Sequence, residues 1–548
     1  MQQIAAFSTF ALPKRETARA QPYNNMNFTK KLLKALTLPL ERFFYVFITL
    51  FILHALVDTL YFYVYPAYSV NVFFHGLFMA YILTIPCIWL EKHKALFTAY
   101  KWIIFVPYLI SFVGDLIAHA TLGSSLDEDV AATILATNME EVKECFQTYF
   151  SFTPIIVGGL LLFATYKLYK YLKKASCPLK DLWLGGIAVG AYITFNTTWL
   201  LVGGVTGKAT IFLHAKSPIE LEEFSEKPNI IAHLHEQPQH VVMIVGESLT
   251  KHHCSGYGYA KSTTPKLEAL EDSGLLYTFK NVKSEEVHTL PVFKTLFSKY
   301  RNEWKDSVDW FRCVTLQDIL HQSGYKTFWV SNQSKRGVCD NFIGKYAELC
   351  SENYFAGNKL AGMKRRTYDE EVIGLTRPLI ADSAQNKFYV VHLMGSHFKF
   401  DKRYPEAFDH YQAEDYPDLP DNQKKVVATY DNSVIYNDSV VYEVMQLFKD
   451  KEAIVFYFSD HAIDLFQSTS DYYGHAKSNK ESFVWGQDIP FYVYMTPKYQ
   501  AKFPEVVKAI QANVERPFRT DNMFYTIMDI IGSKFKGNDE VKQYTLLQ

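Results

Sequence analysis

Apolar positions follow two patterns along the chain, and the change comes near residue 205. Before it they form long blocks: "FFYVFITLFILHALVDTLYFYVY" at 43–65, "VNVFFHGLFMAYILTIPCIWL" at 70–90, runs near 98–118 and near 149–166, and "LWLGGIAVGAYITFNTTWLLVGG" at 182–204. Each has roughly the twenty residues that cross about 30 Å of hydrocarbon. The pattern therefore predicts a five-span transmembrane domain over 43–204; a helix buried in a protein core is the competing reading. After a connecting segment at 205–238, short apolar runs alternate with helical periodicity. "VVMIVG" (241–246), "KTFWVSN" (326–332), "FYVVHLMG" (388–395), "AIVFYFSD" (453–460) and "IPFYVYM" (489–495) are the expected strands. Continuous apolar strands separated by helices indicate a mainly parallel sheet covered on both faces. Residues 239–548 are thus expected to form an α/β domain.

In an open sheet of this kind, ligands bind at the carboxyl ends of the strands. Glu247 follows the first run, His392 and His397 stand at or after the third, and Asp460 and His461 end the fourth. Carboxylates and imidazoles converging there suit a divalent metal, with zinc foremost for this mixture of nitrogen and oxygen ligands. Thr289, which opens the helical segment "HTLPVFKTLF", would add a hydroxyl oxygen. Zinc lowers the pKa of such a group and makes it a nucleophile, and a helix N-terminus favours an anionic phosphate beside it. The plainer readings are an N-cap for Thr289 and a turn after a strand for "SDH" at 459–461.

Charge sets the direction of the spans. Lys30, Lys31, Lys34 and Arg42 precede the first, Lys92 and Lys94 follow the second, and Lys167, Lys170, Lys173 and Lys174 follow the fourth. Those sides face the cytoplasm by the positive-inside rule. Segment 1–42 is then cytoplasmic, while the acidic loop 119–146 and the domain after residue 205 lie outside. Residues 1–26 hold no cleavable signal, and Met26, ahead of the basic "NFTKKLLK", is a candidate start. His54, Asp58, His75 and Asp115 fall toward the outer ends of spans, where they could meet a polar headgroup or pair near the interface. With a net charge of -1, the chain does not look like a nucleic-acid binder.

With "VVMIVGES", "GYGYAKSTTPKL", "HTLPVFKTLF", "VHLMGSH", "YDNSVIYND" and "FSDH" in this order behind the spans, the chain resembles the phosphoethanolamine transferases of the Gram-negative inner membrane. Members of that family decorate lipid A, lipopolysaccharide core sugars, or protein and glycan acceptors, and some confer polymyxin resistance. The resemblance implies a domain like alkaline phosphatase and sulfatase, with zinc held by Glu247, Thr289, Asp460 and His461. It also implies His397 and His475 as phosphate or second-zinc ligands, although Gly474 precedes His475 where the family often has another order. Lys335 or Arg336 would complete the phosphate site. Thr137 and Glu141 in the outer loop would contact the donor headgroup, with Thr133 where asparagine is common.

The implied reaction is a two-step transfer from phosphatidylethanolamine through phosphoethanolamine-threonine to an envelope glycoconjugate. One zinc would be tightly bound and a second could join during turnover. The implied protein is a monomer, multi-pass in the inner membrane, with its catalytic domain in the periplasm. The alternatives are a glycerol-phosphate transferase or sulfatase of the same superfamily, or a non-enzymatic membrane sensor. A sulfatase would carry arginine where Phe293 stands. Lipid A-modifying members often place a cysteine just before the nucleophile, whereas this chain has Glu285, Glu286, Val287 and His288. Cys339 and Cys350 are the expected disulfide by proximity.

Overall fold

The computed structural model describes residues 23–62, 69–122, 152–174, 230–304, 310–333, 342–356, 367–470, 472–475, 480–535 and 544–548. The chain divides into two compact units, residues 1–112 with 159–204, and 113–158 with 205–548.

Among the described residues, three helical stretches are long and apolar enough to cross a membrane: Lys34–Leu56, Lys94–Ile117 and Phe152–Leu172. The first begins earlier than the expected 43–65, because the helix Tyr23–Phe62 runs on through Pro39 with a kink at Phe43. The expected span at 70–90 is interrupted. Helix Ser69–Thr84 stops before Pro86, and the short helix Cys87–Leu90 resumes after it, since proline cannot supply the N–H that would continue the ladder. The fifth expected span, 182–204, lies outside the described residues. Trp102, Ile103, Ile110, Leu160 and Phe163 are exposed, a surface suited to lipid rather than water. His54 is buried, its ring 5.8 Å from that of Tyr108. It fills the space that the absent side chain of Gly76 leaves, where a Cβ would come within 2.4 Å of it.

The second unit is built on a seven-stranded sheet. We number its strands β1 (His240–Gly246), β2 (Leu276–Thr278), β3 (Tyr325–Ser331), β4 (Glu352–Phe355), β5 (Asn386–His392), β6 (Ala453–Ser459) and β7 (Phe491–Met495). Their order is β2-β7-β6-β1-β5-β3-β4. Strands β6, β1, β5, β3 and β4 are parallel, while β7 runs antiparallel to β6 and β2 antiparallel to β7. The expected strands are all present within a residue or a few, and the sheet is mainly parallel as expected, mixed only through β7 and β2 at one edge.

Alternation of side chains distributes each strand between two cores. Val241, Met243 and Val245 join Ile454, Phe456 and Phe458 on one face; Val242 and Ile244 join Val455 and Tyr457 on the other. Helix Thr289–Leu296 covers the first face through Phe293 and Leu296. The 26-residue helix Asp421–Gln446 covers the second through Val434, Val440 and Val441. It also reaches other elements. Asp438 accepts the N–H groups of Lys266 and Leu267, each at 3.0 Å, and so satisfies the first turn of helix Pro265–Asp272.

Phe293 anchors its helix from below, with its ring 4.9 Å from His392 and 6.2 Å from Trp329. Phe293→Ala should cost about 3–5 kcal/mol of stability through the cavity it opens. Thermal unfolding of the full chain in detergent, followed by intrinsic tryptophan fluorescence, would show this as a lowered midpoint.

Candidate active site

The carboxyl ends of β1, β6, β5 and β3 converge. In the β1–β6 register, Gly246 stands opposite Ser459, so the residues that follow, Glu247 on one strand and Asp460 with His461 on the other, meet at the sheet edge. Glu247, Asp460 and His461 are buried, and one ligand atom from each lies within 4.8 Å of the others. His461 Nε2 is 3.1 Å from Glu247 Oε1 and 3.5 Å from Asp460 Oδ2. Its Nδ1 is 2.9 Å from the carbonyl of Ala462, a contact that places a proton on Nδ1 and turns Nε2 inward.

Thr289 is the first residue of its helix, after an extended His288. Its side chain does not serve as the N-cap. Instead Oγ1 donates to Glu247 Oε2 at 3.1 Å. The same oxygen accepts from Gln333 Nε2 at 3.3 Å, while Oε1 accepts from Ser248 Oγ at 2.8 Å. Asp460 Oδ1 takes the backbone N–H groups of His461 (2.7 Å) and Ser248 (3.3 Å). Asp460 Oδ2 is buried without a hydrogen-bond partner among the described residues.

The electrostatics follow from this crowding. Burial pushes Asp460 up to about 7, with the charge of Glu247 adding to the effect. Burial also works against the charged form of Glu247, yet the charge and hydrogen bond of His461 hold it well below the usual carboxylate range. For His461, burial favours the neutral ring, but Asp460 and Glu247 outweigh it and raise the group to about 9. Two carboxylates share a single imidazole, so the cluster is short of positive charge. A buried carboxylate oxygen without a donor, two acidic groups and an inward Nε2 fit a divalent cation.

Imidazoles border the cluster. The His475 ring lies 4.6 Å from that of His461 and 4.8 Å from that of His288. His475 Nδ1 and His397 Nδ1 are buried with no hydrogen-bond partner among the described residues. Burial keeps both rings neutral by lowering their pKa values. His392, which the sequence placed near the crevice, lies behind the site. Its Nδ1 is 3.3 Å from Ser331 Oγ and its ring packs on Phe293.

Several positioning groups were given no individual role by the sequence reading, although Gly395, Ser396, Tyr430 and Ser433 lie within the motifs "VHLMGSH" and "YDNSVIYND". Gly395 has φ +51° and lies against Glu247, where a Cβ would come within 2.7 Å of both its backbone N and O. Ser396 N donates to Glu247 O at 2.9 Å, and Ser433 Oγ donates to Ser396 Oγ at 2.9 Å. Tyr430 OH donates to Ser248 O and accepts from Thr250 N, both at 2.9 Å, and thereby fixes the turn in which Ser248 adopts φ +55°. Asp369 accepts from Met394 N, Gly395 N and Asn332 Nδ2 at 2.8, 2.8 and 2.9 Å. Lys335, Arg336, Thr133, Thr137 and Glu141 lie outside the described residues. Cys350 is buried, with Sγ donating to Tyr346 O at 3.7 Å; its expected partner Cys339, and with it the bridge, lies outside the described residues.

The Sulfatase family matches residues 239–533. The chain belongs to that family. Its named relatives are the proteins that the ordered motifs resemble. Over 313 residues it is 28% identical to phosphoethanolamine transferase EptC of Escherichia coli O18:K1:H7 (strain RS218 / NMEC), covering 56% of this chain and 53% of that protein. The match thus spans about half the length of EptC. Identity to phosphoethanolamine transferase CptA of Salmonella typhimurium (strain LT2) is 25% over 466 residues, with 78% and 79% covered. The solved C-terminal periplasmic domain of E. coli EptC, in complex with Zn, aligns with a TM-score of 0.53 at 26% identity, covering 59% of this chain and 89% of that one. The integral membrane lipooligosaccharide phosphoethanolamine transferase A from Neisseria meningitidis shares the fold, with a TM-score of 0.57 at 16% identity and 92% and 96% covered.

Gly395→Ala should cost about 1–3 kcal/mol, the range for a residue forced into a sparsely populated backbone region. The added methyl also displaces Glu247. A lowered melting point together with weakened metal retention, measured by elemental analysis after dialysis, is the expected result.

Proposed function

We propose that the chain is a zinc-dependent transferase that moves phosphoethanolamine from phosphatidylethanolamine to a hydroxyl or phosphate of an envelope glycoconjugate. The observation that carries this reading is the Thr289 hydroxyl, at the mouth of a helix, 3.1 Å from a carboxylate of the Glu247, Asp460 and His461 cluster. The named relatives and the zinc complex of the EptC domain support it. Phe293, buried in the apolar core, occupies the place where a sulfatase would need arginine.

Glu247, Asp460, His461 and Thr289 would hold the zinc, which when bound lowers the pKa of the threonine hydroxyl and offsets phosphoryl charge. In the first step Thr289 Oγ1 forms a bond to phosphorus and gives up its proton. The bond from phosphorus to the glyceride oxygen breaks, and diacylglycerol leaves carrying a proton. In the second step an acceptor oxygen bonds to phosphorus, the bond to Thr289 breaks, and the acceptor's proton returns to Oγ1. His397, His475 and Lys335 would face the phosphoryl oxygens, as a second metal site or as donors. Thr137 and Glu141 would meet the donor headgroup. Five inner-membrane spans would keep a monomeric enzyme, with its catalytic domain in the periplasm, beside a donor that stays in the bilayer.

Thr289→Ala should abolish transfer and leave the chain folded. Intact-protein mass spectrometry of the wild type incubated with phosphatidylethanolamine should find one phosphoethanolamine, mapped to the Thr289 peptide; normal transfer by the alanine variant would refute the covalent route. Asp460→Ala should lose most of its zinc by elemental analysis, and unchanged content would place the metal elsewhere.

A further inference from the structure

We infer that Trp485, His252 and Lys283 form an acceptor subsite on the rim of the crevice, suited to a sugar ring that carries an anionic group. This rests on the transferase reading and deepens it, because it names the part of the acceptor that the chain recognises.

Topology puts these residues on the same rim as Thr289. Strand β7 runs antiparallel to β6, with Phe491 opposite Phe458, and β2 antiparallel to β7, with Thr278 opposite Tyr492. The segment before β7 and the segment after β2 therefore both lie at the carboxyl end of β6, where Asp460 and His461 begin. Residues 485–488, at the end of helix Lys480–Gly486, touch all three segments that carry the clustered groups. Gly486 O accepts from Ala462 N at 2.7 Å, next to His461. Gln487 O accepts from Ser284 N at 2.9 Å, and Gln487 Nε2 donates to Ser284 O at 3.1 Å, on the approach to Thr289. Asp488 O accepts from Lys251 N at 3.0 Å, shortly after Glu247. Gly486 is packed so closely that a Cβ there would come within 2.7 Å of Val287 Cγ1. The platform is thus held at a fixed place beside the nucleophile.

Its polar part carries an excess of donors. Asp488 Oδ1 is 2.8 Å from Lys283 Nζ and 3.8 Å from Lys251 Nζ, and Oδ2 is 2.9 Å from His252 Nε2. Burial alone would raise Asp488, but hydrogen bonds from His252 and Lys283 and the lysine charges bring it down to about 2. One carboxylate does not cancel two ammonium groups. Burial lowers the pKa of Lys251, and the charge of Lys283 adds to that effect against Asp488. An ammonium group has three N–H donors, and the side chain of Lys283 is 46% exposed, so it can serve Asp488 and an anion together.

The apolar part is Trp485. It is half-buried, with the ring of His252 set edge-on at 5.0 Å, and Val484 beside it is exposed. A large ring with a polar tip suits a ligand that is apolar on one side and wet on the other, as the C–H face of a sugar is. Inorganic phosphate would use the ammonium groups and leave the indole uncovered; a neutral sugar would do the reverse. A sugar phosphate or a sugar acid uses both. The competing account is scaffolding alone, with Asp488 tying three segments together.

The test titrates the full chain in detergent with glucose 6-phosphate, glucuronate and glucose by calorimetry. The better charged sugar should bind about tenfold or more tighter than glucose, the range for a charge-assisted hydrogen bond, and which one it is identifies the anion as phosphate or carboxylate. Lys283→Gln should bring the charged sugars to the level of glucose. Trp485→Ala should weaken every sugar about tenfold, and Trp485→Phe should recover most of that loss. Phosphoethanolamine should still appear on Thr289 from phosphatidylethanolamine, so that the defect falls on the acceptor half of the reaction. Charged sugars that bind no tighter than glucose would overturn the inference, as would unchanged binding in Lys283→Gln, which would place the anion elsewhere. Adduct formation slowed as much as sugar binding is weakened would leave only the scaffold. No adduct on the wild type, with sugar binding intact, would instead remove the transferase reading and keep the sugar site.

Discussion

Everything in the site depends on burying two carboxylates and one imidazole at the ends of neighbouring parallel strands. Such groups are expensive to remove from water unless each finds a charge or a donor. The register between β1 and β6 brings Glu247 beside Asp460 and His461, and the surroundings then supply Ser248, Thr289, Gln333 and backbone N–H groups as donors. The supply falls short at Asp460 Oδ2. That deficit is a feature of the donor set, and it is where the chemistry of a divalent ion fits.

The helix Asp421–Gln446 explains why so much of this arrangement lies far from it in sequence. Its segment "YDNSVIYND" holds the turn after Glu247 through Tyr430, the loop bearing His397 through Ser433 and Ser396, and the start of another helix through Asp438. Asp431 accepts from Tyr259 OH at 2.7 Å and lies 2.6 Å from His253 Nδ1, which ties in the segment "GYGYAKSTTPKL" as well. Two motifs that mark the family resemblance thus serve as scaffolding behind the Glu247, Asp460 and His461 cluster.

Strands read well from the sequence because they are buried on both faces, so apolar runs such as "VVMIVG" and "AIVFYFS" are unbroken. The strands "LYT" and "ENYF" escaped because they are short and partly polar, and the sheet edge rather than their own composition recruits them. The grouping of Glu247, Asp460 and His461 was legible because Glu, Asp and His directly after apolar strands are chemically conspicuous. The roles of Gln333, Asp369 and Tyr430 were not, the last noted only as part of a motif: an amide, a distant carboxylate and a tyrosine acquire meaning only when the fold brings them to Glu247, Gly395 and Ser248. Among the described residues, hydrophobicity located three helices long and apolar enough to cross a membrane, but it did not register that a helix runs on through Pro39 and that another stops before Pro86.

Glu247, Asp460 and His461 follow directly on strand ends and Thr289 opens a helix, while the strands beneath them are packed on both sides by separate apolar layers. The rim is nevertheless not a set of replaceable fittings, because Leu249 and Leu393 are buried in one layer and Ala462 in the other just past the strand ends. An engineer redrawing these loops would have to retain those side chains together with the glycine pressed against Glu247.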